Sequence, residues 1–231
     1  MELADRNSGV SERAIVRATL ANAYFHVGDV KKAQDLFFDA ENIGGGQLHS
    51  LAGFRYCELL MQTGNYDEVV KRATVSLSVA EVNKILLDVG LHRLSLARAC
   101  HSLMRIEEAT QHFNLAVDEL RTAGRRVYFT KGLIYRSEFR RQITDLEGAR
   151  ADLRVAHVIA SRGGMRLYEA ECHLQYAHLY LALNDPELAL KSFDVAKTSI
   201  EEIGYHRRRA ALAELASILS KLNSNAVEPT R

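Results

Sequence analysis

Turn dipeptides recur along this chain at a nearly constant step. Gly28-Asp29, Gly64-Asn65, Thr144-Asp145 and Asn184-Asp185 each end one apolar-periodic run and precede another, and Met104-Arg105 stands at the matching place in the third unit. The steps, from 28 to 64, 104, 144 and 184, are 36, 40, 40 and 40 residues. A fixed step of this size marks an array built from one supersecondary unit. Side chains around each turn keep phase with it. Ala33, Phe37 and Ala40 follow the first turn. Their counterparts are Ala109, Phe113 and Ala116, then Ala149, Leu153 and Ala156, then Ala189, Phe193 and Ala196. Val69, Ala73 and Ser76 keep the spacing with a weaker pattern. The i, i+4, i+7 spacing puts each trio on one helix face. Small residues at its ends admit a neighbouring backbone, and the aromatic fills the gap between them.

The runs before the turns have their own pattern, in Leu20, Ala21 and Tyr24, in Leu96, Ala97 and Cys100, and in Tyr176, Ala177 and Tyr180. Each unit therefore reads helix, turn, helix. First helices are predicted near 11–27, 48–63, 84–103, 129–143 and 166–183, and second helices near 30–42, 66–80, 106–123, 146–162 and 186–203. Neither helix of a pair can bury its stripe alone, so stacked neighbours must complete the core. The expected fold is all-α, a right-handed superhelical solenoid forming a single domain over 1–222. Its repeat units are 11–46, 47–83, 84–124, 125–164 and 165–205, with a capping helix at 206–222 and an unstructured tail at 223–231. Gly44-Gly45-Gly46, Gly124 and Gly163-Gly164 mark the loops between units. Only two prolines, Pro186 and Pro229, interrupt the chain, and Pro186 suits a helix start.

The pattern resembles the tetratricopeptide repeat, through stretches such as LANAYFHVGDVKKAQDLFFDA and LQYAHLYLALNDPELALKSFDVAK. The resemblance covers roughly 14–203. The motif Trp is absent, as is the Pro after the second helix, and the 40-residue step exceeds the common ~34. Longer helices or longer inter-repeat loops must hold the extra residues. The later repeats, in GLIYRSEFRRQITDLEGARADLRVAHVIASRGGMRLYEAECHLQYAHLYLA and EEIGYHRR, also look like the helical sensor arrays of bacterial STAND-class signal-transduction ATPases. That likeness implies a regulatory array belonging to a larger ATPase, although this chain contains no GxxxxGK[ST] phosphate loop.

Composition excludes several classes. Thirty Lys and Arg against 29 Asp and Glu leave a net charge of +1, which argues against a chain built to coat nucleic acid or an anionic membrane. Cys57, Cys100 and Cys172 form no CxxC pair, so reduced, buried thiols are expected rather than a disulfide frame or a zinc site. The opening MELADRNSGV lacks a signal-peptide core, and no run approaches ~18 uncharged apolar residues. A cytoplasmic, membrane-free protein follows as the expectation. No GxSxG or HExxH occurs. The nine histidines read as packing or surface residues, and the expectation is a non-enzyme with no metal and no cofactor.

In tetratricopeptide arrays, the first helices line a concave groove. The resemblance puts Asn22, Glu58, Arg98, Glu138 and His178 on that inner row, with Phe25, His26, Arg55, His101, Tyr135, Arg141 and Gln175 beside them. Mixed charge with aromatics suits an extended peptide or a protein segment as partner. The carboxylate clamp of chaperone-binding arrays finds a match only at Asn22, so an adaptor of that kind is not expected. A second candidate is the basic stretch Arg121, Arg125, Arg126, Lys131, Arg136, Arg140 and Arg141, interleaved with Tyr128, Phe129, Tyr135 and Phe139. It reads either as a phosphate or nucleic-acid face, or as a solvated helix paired with acidic neighbours. The sequence assigns neither the ligand nor the oligomeric state.

Overall fold

The computed structural model describes residues 2–227, with side chains described over 9–222. The described residues are helical throughout, without a strand. The elements are α1 (Glu2–His26), α2 (Val30–Gly44), α3 (Ser50–Gln62), α4 (Tyr66–Val82), α5 (Leu86–Ser102), α6 (Ile106–Thr122), α7 (Arg126–Gln142), α8 (Leu146–Arg162), α9 (Arg166–Ala182) and α10 (Pro186–Glu202). A single 3₁₀ turn at His206–Arg208 then leads into α11 (Arg209–Val227). The capping helix thus runs into the segment expected to be an unstructured tail, whose residues 228–231 lie outside those described.

From α4 to α10 every helix has 17 residues. The extra length of the repeat therefore resides in the helices, while the loops stay at three residues. One turn geometry serves every junction from α3 onward. Its middle residue is left-handed at Gly64, Lys84, Met104, Gly124, Thr144, Gly164, Asn184 and Gly204. After Gly64, Lys84, Met104, Thr144, Gly164, Asn184 and Gly204 the next amide donates to the carbonyl five residues back, as in Ile85 N–H to Ala80 O (3.0 Å), Arg105 N–H to Cys100 O (2.8 Å) and Asp185 N–H to Tyr180 O (2.9 Å). This is the Schellman closure of a helix C-terminus. At three junctions of the chain, the α1–α2 junction among them, an Asp caps the following helix. The Oδ1 atoms of Asp29, Asp145 and Asp185 accept from the amides of Lys32, Gly148 and Leu188 at 3.1, 2.9 and 3.0 Å.

Contacts divide the chain into two compact units, residues 1–125 and 126–231. In the first, α1 packs on α2, α4 on α5 and α5 on α6, with α3 against α1, α4 and α5. Ala33, Phe37 and Ala40 are fully buried beside Ala18, Ala21 and Phe25. The Phe37 ring stacks on Tyr56 with centroids 4.8 Å apart, and the Arg72 guanidinium lies 4.6 Å from the Tyr56 centroid. Arg72 also forks onto Glu41 at 2.6 and 3.0 Å, joining α4 to α2. In the second unit, α7 packs on α8 and α9 on α10, with α8 and α7 both against α9. Its terminal core gathers Ala189, Phe193 and Ala196 with Tyr205, Leu212 and Leu215.

Gly53 in α3 illustrates how closely the first unit is packed. A Cβ there would stand 2.3 Å from the Leu48 carbonyl oxygen. That atom belongs to backbone and cannot rotate away. Gly53→Ala is expected to destabilise the protein by about 1–3 kcal/mol in urea unfolding, whereas a change below a few tenths would show that the 45–49 loop gives way freely.

Candidate functional site

The first helices of successive pairs lie side by side within each unit, α1 with α3 and α3 with α5 in the first, α7 with α9 in the second. Each unit therefore presents its own inner row. In the first unit Asn22 and His26 on α1, Arg55 on α3, and Arg98 and His101 on α5 are half-buried, the state of side chains that line a surface while keeping packed stems. Glu58 is buried almost completely, and Arg98 Nη1 approaches its Oε1 to 3.9 Å. Arg55 Nη1 reaches the Thr19 hydroxyl across the α1–α3 seam at 3.4 Å.

Beside this row lies a cavity of about 590 Å³ between α1, the loop before α3, and α3 itself, lined by Ile15, Thr19, Gly46, His49, Leu51 and Arg55 among others. Its polar rim is fixed by hydrogen bonds. Gln47 Nε2 donates to Ser76 Oγ (3.0 Å) and to the Arg72 carbonyl (2.9 Å), and His49 Nδ1 lies 2.9 Å from the same Ser76 hydroxyl. Ser50 Oγ donates to Asp88 Oδ2 at 2.6 Å, and the Leu48 amide donates to Glu41 Oε1 at 2.9 Å. A cavity with an apolar floor, a half-buried guanidinium and a held rim has the form of a small-ligand or peptide side-chain pocket.

In the second unit Glu138 and Arg141 on α7 and His178 on α9 are half-buried. Burial lowers the His178 pKa, nearby Arg141 lowers it further, and Glu138 and Glu214 oppose them. The net effect favours the neutral ring. Burial likewise pulls Arg141 below the usual guanidinium value, against Glu138.

Four predicted groove residues do not line a surface, the buried Glu58 among them. Phe25 is fully buried in the first unit's core. It follows Ala18 and Ala21 at i+7 and i+4, so it shares their packed face rather than that of Asn22. Tyr135 and Gln175 are also buried. They occupy equivalent register places in α7 and α9, forty residues apart, and present almost nothing to a partner.

The basic stretch is only partly a basic face. Arg136 forks onto Asp152 of α8 at 2.8 and 2.7 Å, and Arg140 Nη1 reaches the same carboxylate at 3.0 Å and the Gly148 carbonyl at 3.2 Å. Both residues hold α7 to α8 instead of facing a nucleic acid. Arg121 is exposed, 3.7 Å from Asp118. Lys131 lies 6.0 Å from the Tyr135 ring centroid. Arg125 and Arg126 are exposed.

A second buried ion pair escaped the sequence reading. Glu171 of α9 accepts from the Tyr205 hydroxyl (2.8 Å) and from Arg208 Nε and Nη2 (2.7 Å each). Of the basic run His206–Arg209, Arg208 pairs inward with Glu171 and Arg207 is buried. The available signal was a tyrosine directly before a basic run that opens the capping helix. Cys57, Cys100 and Cys172 are all free and buried, and burial pushes the Cys57 thiol up to about 12. No three His, Cys, Asp or Glu side chains among the described residues are grouped to hold a metal ion. No helix among them is long and apolar enough to cross a membrane.

No protein-family model matches the chain, and no curated protein matches it. Among solved structures, it is similar to the apo form of RapI, with a TM-score of 0.60 at 15% identity over 96% of this chain and 83% of that one. The likeness is one of fold. Together with the all-helical repeats it supports a tetratricopeptide-like array.

Proposed function

We propose that the chain is a non-enzymatic interaction module that takes a peptide or protein segment along the inner row of its first unit. The observation that supports this is the line Asn22, Arg55, Arg98 and His101 across α1, α3 and α5, half-buried and continuous with a cavity of about 590 Å³. Helical arrays expose their inner helices as extended binding surfaces, and a prebuilt surface spares the ordering cost on its own side. Glu58 is covered by Arg98, so the accessible charge of this row is cationic, which suits a segment bearing a carboxylate. Glu138, Arg141 and His178 form a corresponding row in the second unit. Three buried thiols fit a reducing compartment such as the cytoplasm. The alternative of a sensor array within a signal-transduction ATPase would use the same inner row, and no residue described above favours it over direct capture.

The test is panning of a random-peptide display library on the full chain, followed by titration of the enriched peptides. Enrichment of acidic sequences is expected. The double substitution Asn22→Ala/Arg55→Ala should weaken their binding by about tenfold or more, equivalent to roughly 1.4 kcal/mol, at unchanged thermal stability. Equal affinity in both proteins would remove the inner row of the first unit as the site. Glu58 is unsuited to this test, because its substitution would disturb a buried group.

A further inference from the structure

The junction of α10 with α11 is hollow where equivalent junctions are filled. Gly204 before α11 corresponds to Gly164 before α9 and to Lys84 before α5. Lys197, Ala213 and Ala216 therefore match His157, His173 and Tyr176. Between α8 and α9 those three rings pack together, His157 with His173 at a centroid distance of 5.0 Å and with Tyr176 at 6.0 Å. Between α4 and α5 the same place holds Leu96, packed with Leu77, and Arg93, which donates to Glu81 at 2.7 Å. At the last junction two alanines replace these large side chains, and a cavity of about 590 Å³ opens. Phe193 registers the opening, being 7% exposed where its counterpart Leu153 is 1% exposed. The cavity has two kinds of wall. Phe193, Ile200, Leu212, Ala213 and Ala216 make it apolar, while Glu201, His206 and Arg209 near the connecting turn, with Lys197, make it charged. Arg208 is committed to Glu171 and Arg207 is buried, but Arg209 and Lys197 are exposed. Two fixed cations against one carboxylate leave a single positive charge.

We propose that this cavity binds a small amphiphile, an unbranched alkyl chain carrying one carboxylate, of the medium-chain fatty acid class. Its volume is in the range of small-molecule sites, about 300–1,000 Å³. The alkyl body takes the place of the two missing side chains and restores the contacts that Phe193, Ile200 and Leu212 lack on that side. The head meets Lys197 and Arg209, and a guanidinium can take a carboxylate through two parallel hydrogen bonds. One net positive charge suits one anionic head. The lining also selects against a peptide. The apolar wall consists of helix sides, whose backbone groups are bonded within their own helices. A peptide entering here would bury amides without partners, whereas an alkyl chain has none to satisfy. The site lies wholly in the second unit and is independent of the inner row of the first.

The test is calorimetric titration of the full chain with decanoate, kept below micelle formation. Saturable binding is expected. Decanol and decyltrimethylammonium, which carry the same chain with no charge or the opposite one, should bind about tenfold more weakly or worse. The double substitution Ala213→His/Ala216→Tyr installs the side chains that α9 carries at these places, and it should abolish decanoate binding at unchanged or raised thermal stability. Arg209→Gln alters an exposed side chain and leaves the cavity open. It should weaken decanoate several-fold while leaving decanol unaffected. A native chain that takes up no decanoate saturably overturns the proposal, as does undiminished binding in the filled variant. Equal affinity for decanoate and decanol, or indifference to Arg209→Gln, overturns the recognition of a carboxylate.

Discussion

Replacing Glu171 by alanine should cost the second unit roughly 3–5 kcal/mol, the effect of removing one partner from a buried ion pair. The carboxylate is buried and accepts three hydrogen bonds, one from Tyr205 and two from Arg208. These bonds fasten the 3₁₀ turn before α11 to α9, and with it the cap over Phe193, Ile200 and Leu212. Without the carboxylate, a guanidinium and a phenol hydroxyl lose their acceptor in a site they cannot leave without undocking the cap. Urea unfolding of the variant should show the loss, and the pair Glu171→Leu/Arg208→Leu should recover much of it, since two apolar groups leave no charge unmatched. A loss below about 1 kcal/mol, the scale of a solvent-screened pair, would mean that the cap is held by its apolar contacts alone. Acid should mimic the substitution. Burial opposes ionisation of Glu171, but Arg208 and the hydrogen bonds from Arg208 and Tyr205 outweigh it and hold the carboxyl below its ordinary value. A depressed carboxyl contributes stability that is full above its unfolded value near ~4.3 and is lost as pH falls through the folded value.

His92 should produce a separate acid sensitivity, at higher pH. Its side chain on α5 is 1% exposed, and neither ring nitrogen has a hydrogen-bond partner among the described residues. Burial, with a smaller contribution from His49, lowers its pKa to about 4. The folded protein thus refuses a proton that the unfolded chain accepts from ~6.5 downward. Stability is therefore full above that unfolded value, declines as pH falls toward 4, and levels off below. The full difference amounts to roughly 3 kcal/mol at ~1.4 kcal/mol per unit. His92→Phe should flatten the stability profile across that window, and should not destabilise the protein at neutral pH, because an orphaned polar group in the core is itself a cost. Parallel slopes for the two proteins between pH 6.5 and 4 would assign the acid sensitivity to other groups.

The fold was legible because its determinants are local and repeated. Ala33, Phe37 and Ala40, and their counterparts, state a packed helix face four times over, and all of these residues are buried except for a trace at Phe193. The 40-residue step was most visible where Gly, Asn or Asp marked a turn. Lys84 and Met104 adopt the same left-handed backbone without a residue type that announces it; Met104 was placed by its step from the neighbouring turns, and the Lys84 junction only by the ends of the apolar runs around it. The site was less legible because helical phase separates groove from core by a single residue. Asn22 and Arg55 fall on the accessible side; Phe25, Tyr135 and Gln175 were drawn into the row by proximity in sequence and lie in the packing. Ion pairs between helices were not legible at all. That Arg136 and Arg140 share Asp152 depends on how α7 meets α8, which no pattern within either helix encodes.

The uniform junctions also bear on how such a chain acquires its structure. Within each unit, most packing joins a helix to the one before or after it, so few contacts span more than about two helices of sequence. Low sequence separation means short loops to close and small entropic barriers, the regime in which helical proteins fold in about microseconds to milliseconds. Because nearly every junction from α3 onward closes with the same turn, none stands out as an obligatory nucleus, and growth can begin at any helix pair and spread in either direction. Rates of assembly should then track the summed quality of neighbouring interfaces rather than the fate of one critical segment.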